Sequence, residues 1–481
     1  QRNLQEVAEL KAKEDKEKEE ESKVDPEIEK AALTIAKDPL LFKKRIDMVN
    51  QMGVVGERKN IAMYFCTIDS RLHLNDEGTD VTNALAMKNS GHFGSGKSHT
   101  LTVCTKLCPE DTYCMITNGS PKSLYHRKGG LKHQAFIVTE GFQFQENNAD
   151  DSELVYSVRT LISEGQLKYS FVGKDDEGKQ VTIEKKLDGP TSFITTTIME
   201  KLEPQLEDRL FTIHPDEGVQ QTKDIISMTA LQKSGQFSGV DEKMICAWKE
   251  FHKSLLPVRF VIPFAMKIAD HINRNAMVPI STRRAFKRVL SVIQAVACSY
   301  QHQRKRTENR YIIAEVSDYY MALQIVSEAF RENMGQQDRK SEDRLVIIEE
   351  TGKITPRTLV EKLGITASGL SQWTSKKVKE GILSWCDENG DYFSDDKLLK
   401  RAKHSGTAFL KISENYNPTA TTGLPTPYEL TGDSGWQEGG KLLKQYDLEL
   451  DKRADIGQVF SGVKEVLNAH LNTSHHSDTR C

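Results

Sequence analysis

Gly91-His92-Phe93-Gly94-Ser95-Gly96-Lys97-Ser98 has the spacing G-x-x-x-x-G-K-[ST]. Glycines at these points let backbone N–H groups turn inward and wrap phosphate oxygens. In such a loop Lys97 reaches the β- and γ-phosphates of a nucleotide, and the Ser98 hydroxyl sits on Mg²⁺. The flanks fit. Asn83–Lys88 (NALAMK) predicts a short buried strand, and Ser98–Leu107 (SHTLTVCTKL) predicts a helix whose positive N-terminal end faces the phosphates. The expected nucleotide-contacting set is Gly91, His92, Phe93, Gly94, Ser95, Gly96, Lys97, Ser98 and His99, with ATP and Mg²⁺ as the ligands.

A chain of 481 residues exceeds one ordinary core, so several domains are expected. The net charge of −3 offers no global attraction for nucleic acid, so any basic surface must be local. The eight cysteines are scattered, without metal-site spacing. That suits a reducing, cytoplasmic setting. No apolar run is long enough for a membrane span and no signal peptide is evident. A start at Gln1 rather than Met is expected for the remainder of a longer protein.

The grammar changes along the chain. Residues 5–24 are nearly all charged and predict a solvated linker, placing a charged linker helix at 1–37. Helical patterns follow at 26–37, 39–51 and 58–72. Between 83 and 200 strands and helices alternate, as in an α/β core with a parallel sheet. The strands are expected at Asn83–Lys88, Tyr113–Thr117, Ala135–Thr139 and Ser192–Thr196, all short apolar runs. Within that core, residues 168–186 predict a projecting β-hairpin around a Gly-Lys-Asp-Asp-Glu-Gly-Lys link. The core spans 38–220. Residues 221–342 form a helical lid, 343–412 a small α+β module and 413–481 a C-terminal extension with a disordered tail.

Hydrolysis needs an acid that polarises water, at the end of an apolar strand beside the P-loop strand. Glu140 follows such a strand and is assigned as the water-positioning base. Thr139 departs from the usual pattern, which has an acid there to help hold Mg²⁺. Thr195, Thr196 and Thr197 admit two readings, contact with the attacking water or plain strand propensity. Arg209 suits the charge spreading over a γ-phosphate, or an ion pair with Glu207 or Asp208. Arg283 and Arg284 open a helix from which one would sense the nucleotide. Lys174 and Lys179 flank the hairpin tip, as DNA-phosphate contacts or a solubilising turn.

In the small module, Thr358–Leu363 and Ser368–Glu380 have helix-turn-helix spacing, with Lys376 and Lys377 on the second helix as DNA contacts. Ile382–Trp385 and Tyr392-Phe393 then suggest a wing hairpin, hence a winged helix.

With these parts in this order, residues 50–410 resemble an AAA+ ATPase of the MCM-like branch, with its hairpin ahead of the sensor-1 strand. Val55-Gly56-Glu57 looks like the lead-in of such proteins. More narrowly, the chain is similar to helicase-type ATPases of phages and integrative elements, often joined to a primase. The resemblance implies a homo-oligomeric ring, a hexamer, translocating on single-stranded DNA. It makes Arg209 a finger acting in the neighbouring subunit, Thr196 a sensor-1 position and Arg283 or Arg284 the sensor-2 arginine. The alternatives are an ATP-dependent regulator or loader that remodels protein–DNA complexes, and a nucleotide-switched DNA-binding protein.

Overall fold

Short runs of apolar residues form five strands that pair into one parallel sheet in this computed structural model. The structure describes residues 25–75, 84–117, 130–144, 152–174, 178–237, 239–274, 278, 280–333, 344–345, 347–349, 351–379, 381–393, 395–413 and 423–449. The expected charged linker at 5–24, the hairpin tip 175–177 and the tail after 472 lie outside them. The chain divides into two compact units. The first comprises residues 1–268, 283–326 and 426–481, and the second 269–282 and 327–425.

The first unit opens with helices α1 (Pro26–Ala36), α2 (Leu41–Gln51) and α3 (Arg58–Asp69). Asp25 caps α1, with its carboxylate accepting from Glu27 N–H at 2.9 Å. The α/β core follows: β1 (Ala86–Ser90), α4 (Lys97–Lys106), β2 (Tyr113–Ile116), β3 (Gln134–Val138) and α5 (Ser152–Glu164). Next come β4 (Gln166–Lys174), β5 (Gln180–Asp188), β6 (Thr191–Thr197), α6 (Pro204–Glu207) and β7 (Phe211–Ile213). The sheet order is β2-β3-β6-β1-β7. One expectation is corrected here. The strand ending at Glu140 is not beside the P-loop strand, because β6 lies between them and pairs with both.

β1 and β6 are buried along their whole length, as strands covered on both faces must be. β1 nevertheless carries Lys88, whose side chain is fully buried. Its ammonium is satisfied by the Glu207 carboxylate at 2.6 Å and the Glu200 carbonyl at 2.5 Å. One face of the sheet packs Phe136, Phe144 and Phe193 with Leu154, Val158 and Leu161 of α5. Phe144 meets Phe193 edge to face at 5.7 Å.

β4 and β5 form the expected hairpin, antiparallel from Gln166↔Asp188 to Lys174↔Gln180. Leu167 and Leu187 at its foot belong to the sheet's core cluster. Farther out, exposure alternates along β5, as the period of two requires.

The helical stretch contains α7 (Val219–Lys233), α8 (Glu242–Lys253), α9 (Ala265–Asn273), α10 (Thr282–Ser299) and α11 (Val316–Asn333). It is not purely helical, since β8 (Phe260–Val261) and β9 (Ile312–Ile313) pair in parallel. A buried polar knot joins α2, α3, α8 and α10. The Asp69 carboxylate accepts from Arg45 at 2.6 Å, His252 at 2.9 Å and Ser299 at 2.8 Å. Residues from the expected C-terminal extension return to this unit, where the Leu448 carbonyl accepts from buried Arg58.

In the second unit, α12 (Pro356–Leu363) and α13 (Ala367–Lys379) pack with β10 (Leu383–Cys386) and β11 (Phe409–Ile412), and α14 (Asp396–Ser405) connects the two strands. The helix-turn-helix spacing is present, with Gly364 left-handed (φ 61°) at the turn. The strand pairing differs from expectation. β10 pairs with β11, and Tyr392 makes only an isolated bridge to Cys386. The Tyr392-Phe393 segment is too short to sustain a ladder, and α14 stands between the two strands that do.

Candidate nucleotide site

β1 ends at Ser90 and α4 begins at Lys97, so the loop between them is framed by strand and helix as its spacing demands. Gly94 and Gly96 are left-handed (φ 76° and 84°), and a Cβ at either would meet only open space. The constraint there is backbone conformation and not crowding. Gly96 caps α4 without any side-chain bond to the helix's first N–H groups. No side chain competes for those donors at the positive end of the helix, which is what a phosphate requires.

Lys97 bends back over the loop. Its ammonium donates to the carbonyls of Gly91 at 2.8 Å and His92 at 2.6 Å, and to Ser95 Oγ at 3.0 Å. Partial burial holds it below its ordinary pKa, while Glu217 pulls the other way. Tyr64, buried on α3, donates to the Lys97 carbonyl at 3.4 Å and accepts from Asn89 at 2.8 Å. His92, Phe93 and His99 are exposed around the mouth.

Residues 26–256 match the family model of the MTBMA_p00010 P-loop domain. No curated protein matches the chain. The match and the loop geometry support a P-loop NTPase domain, and nucleotide with Mg²⁺ fits it. Ser98 would hold the metal through its hydroxyl, as P-loops do.

Beyond the loop, Thr196 is the junction. Its hydroxyl lies 3.4 Å from Ser98 Oγ and accepts from the Glu140 N–H at 3.3 Å. Glu140 is exposed and left-handed (φ 61°), a conformation that costs a non-glycine residue roughly 1 kcal/mol or more. It turns the chain sharply off β3. Gly141 allows that turn, because a Cβ there would collide with the Thr195 hydroxyl. Thr195 instead donates to the Val138 carbonyl at 2.9 Å, and Thr139 stays tied to the Ile116 carbonyl by its backbone N–H at 3.0 Å.

The arginines are sorted by their partners. Glu207 is taken by Lys88 and Asp208 by Arg284. Arg209 therefore does not make the ion pair that was one of its two readings. Its guanidinium donates to Ser163 Oγ at 2.6 Å and to the Gln205 carbonyl. Arg283 and Arg284 stand in the first turn of α10, exposed, and neither bonds to the P-loop among the described residues. Of the expected DNA contacts, Lys179 and Lys376 are exposed. Lys174 ends β4, and its side chain lies outside the described residues. Lys377 is corrected: it is 3% exposed, on the face of α13 that also buries Leu370, Trp373 and Thr374. Helical spacing from Leu370 and Trp373 puts position 377 on the packed side.

Sequence reasoning missed the surroundings of the loop. A cavity of about 270 Å³ opens beside Gly94–Gly96, between the Gly53–Val55 segment and Gln221, Met228 and Gln232 of α7. Buried Gln221 donates to the Val55 carbonyl at 2.7 Å. Also missed was Glu217, which accepts from the His92 N–H at 2.7 Å. Pro215-Asp216-Glu217-Gly218 carries only a turn signal in the sequence.

Proposed function

We propose that the chain is an ATP-hydrolysing motor that moves on single-stranded DNA, as a replicative-type helicase of a mobile element or phage. The hydrolytic part rests on the convergence of Ser98, Thr196 and the Glu140 backbone within 3.4 Å. Ser98 holds the metal, Lys97 neutralises phosphate charge and Glu140 positions the attacking water. Arg209, free of its acidic neighbours, serves the site of an adjacent subunit in a ring.

The DNA part is supported by one continuity of the chain. β5 ends at Asp188 and β6 begins at Thr191, so the hairpin runs almost directly into the strand that carries Thr196. Leu167 and Leu187 fix its foot in the sheet's core. Movement at the nucleotide is thereby passed to the hairpin tip, where Lys174 and Lys179 meet phosphates without regard to sequence. A second reading, remodelling of protein partners, is favoured by the stacked Tyr169–Phe171 pair on β4. That pair lies below the tip, so we place DNA first.

Binding of single-stranded DNA by the Lys174→Ala, Lys179→Ala double variant tests the assignment across a salt series. Removing one lysine–phosphate pairing lowers the log–log salt slope by about 0.7. Unchanged affinity and slope in that variant would move the remodelling reading to first place.

A further inference from the structure

Glu217 grips the P-loop from outside it. One carboxylate oxygen accepts from the His92 N–H at 2.7 Å, and the other lies 2.5 Å from His92 Nδ1. Partial burial pushes this carboxyl up, but the bonds from His92 outweigh it and hold the group below its ordinary pKa. Gly91 permits the approach. A Cβ at that position would lie 2.5 Å from Pro215 Cγ and 2.8 Å from Glu217 Oε1.

The segment that carries Glu217 is itself fixed. His214 Nδ1 lies 2.9 Å from the Ser90 carbonyl, and the Asn60 amide donates to the His214 carbonyl at 2.7 Å. The Asp216 N–H donates to Glu57 Oε1 at 2.7 Å. Directly after it, Gly218 caps α7, the helix that walls the cavity beside the P-loop. Glu217 thus stands where the end of β1, the lead-in at Glu57, the P-loop and α7 are joined.

We propose that Glu217 is a positioning residue for nucleotide binding, holding the entry of the P-loop through His92. The proposal rests on the reading of residues 91–98 as a nucleotide site. Phosphate is bound by N–H groups of the loop and of the α4 N-terminus, and these must be held in place before the ligand arrives if ordering is not to weaken binding. The far end of the loop is held by α4. At the near end the Gly91 N–H donates to the Thr197 carbonyl at 3.2 Å, the His92 carbonyl accepts from Ser95 Oγ at 2.8 Å and from the Lys97 ammonium, and Glu217 holds the N–H and the ring of the exposed His92. A nucleotide draws Lys97 toward its phosphates, and Glu217 then remains as the group that holds the N–H and the ring of His92. A carboxylate near a triphosphate also repels it, with the opposite effect on affinity. Both of its oxygens are engaged by His92, and the two effects differ in the sign of the change that Glu217→Ala makes to affinity.

Calorimetric titration with ADP and with a non-hydrolysable ATP analogue separates the two effects. Glu217→Ala is expected to weaken binding about ten-fold. Glu217→Gln keeps an acceptor for the His92 N–H and loses the charge, so it restores affinity to within about two-fold of the wild type. Glu217 is partly exposed, and a thermal melt without nucleotide confirms that each variant is folded. Binding by Glu217→Ala as tight as or tighter than wild type overturns the proposal, as does a Gln variant no better than Ala. If the wild type binds neither nucleotide, or Lys97→Ala binds both as wild type does, the P-loop reading itself fails.

Discussion

The hydroxyl of Thr196 lies 3.4 Å from that of Ser98, across two elements separated by 98 positions in the chain. One side chain on β6 therefore faces the candidate metal-holding residue and, through the Glu140 N–H, the candidate base. Thr196→Val keeps the shape of this buried side chain and removes its hydroxyl. Turnover is expected to fall about 10²-fold, the scale of losing one positioned polar group at a reacting centre, with nucleotide affinity retained. Steady-state hydrolysis beside equilibrium binding measures both. Loss of affinity with turnover intact would assign Thr196 to packing alone.

Glu140→Gln preserves size and backbone and removes the carboxylate. Nucleotide should still bind, while hydrolysis drops by a factor on the order of 10²–10⁴. A variant with wild-type turnover would show that another acid activates water.

Both acidic neighbours of Arg209 are engaged elsewhere, by Lys88 and Arg284. If its side chain serves a neighbouring site, as proposed, Arg209→Ala leaves nucleotide affinity unchanged and cuts turnover. Mixing it with Glu140→Gln should recover part of the activity, since some interfaces then hold both intact residues. If the mixture is no more active than its components, Arg209 does not act between subunits.

The polar knot around Asp69 makes stability depend on pH. Burial first, and repulsion from Arg71 next, lower His252 from 6.5 to about 4, against the pull of Asp69. A neutral ring suits its place, donating from Nε2 to Asp69 and accepting at Nδ1 from Arg71. Its pKa is lower in the folded chain than in the unfolded one, so between those values the unfolded chain binds the extra proton. The contribution is complete above about pH 6.5 and is lost as pH falls toward 4, at up to about 1.4 kcal/mol per unit. Urea denaturation at pH 7 and pH 4.5 should show that loss, and His252→Gln should flatten it. Equal slopes for the two proteins would contradict the assignment.

Much of this core was legible in the sequence because local rules act locally. The P-loop, the helix after it, the hairpin and the strands near 113–117, 135–139 and 192–196 follow from spacing, period and turn chemistry. The P-loop strand was expected at Asn83–Lys88 and lies at Ala86–Ser90, because Asn89 and Ser90 look like loop residues. They are buried with Asn89 bonded to Tyr64 and Ser90 to the Met199 carbonyl. The insertion of β6 between β1 and β3 is topology, which no apolar run encodes. Lys377 reads as a DNA contact from its charge, whereas its helical register with Leu370 and Trp373 buries it. Glu217 stayed hidden because its role depends on a fold that brings residues 92 and 217 together.

The central claim, that nucleotide hydrolysis at this P-loop drives action on DNA, is tested most directly by the rate of ATP hydrolysis with and without single-stranded DNA. Measurable hydrolysis by the wild type is expected, with a higher rate when single-stranded DNA is present and none in Lys97→Ala. A wild-type rate that does not respond to DNA would contradict the motor reading, and hydrolysis that survives in Lys97→Ala would contradict the site itself.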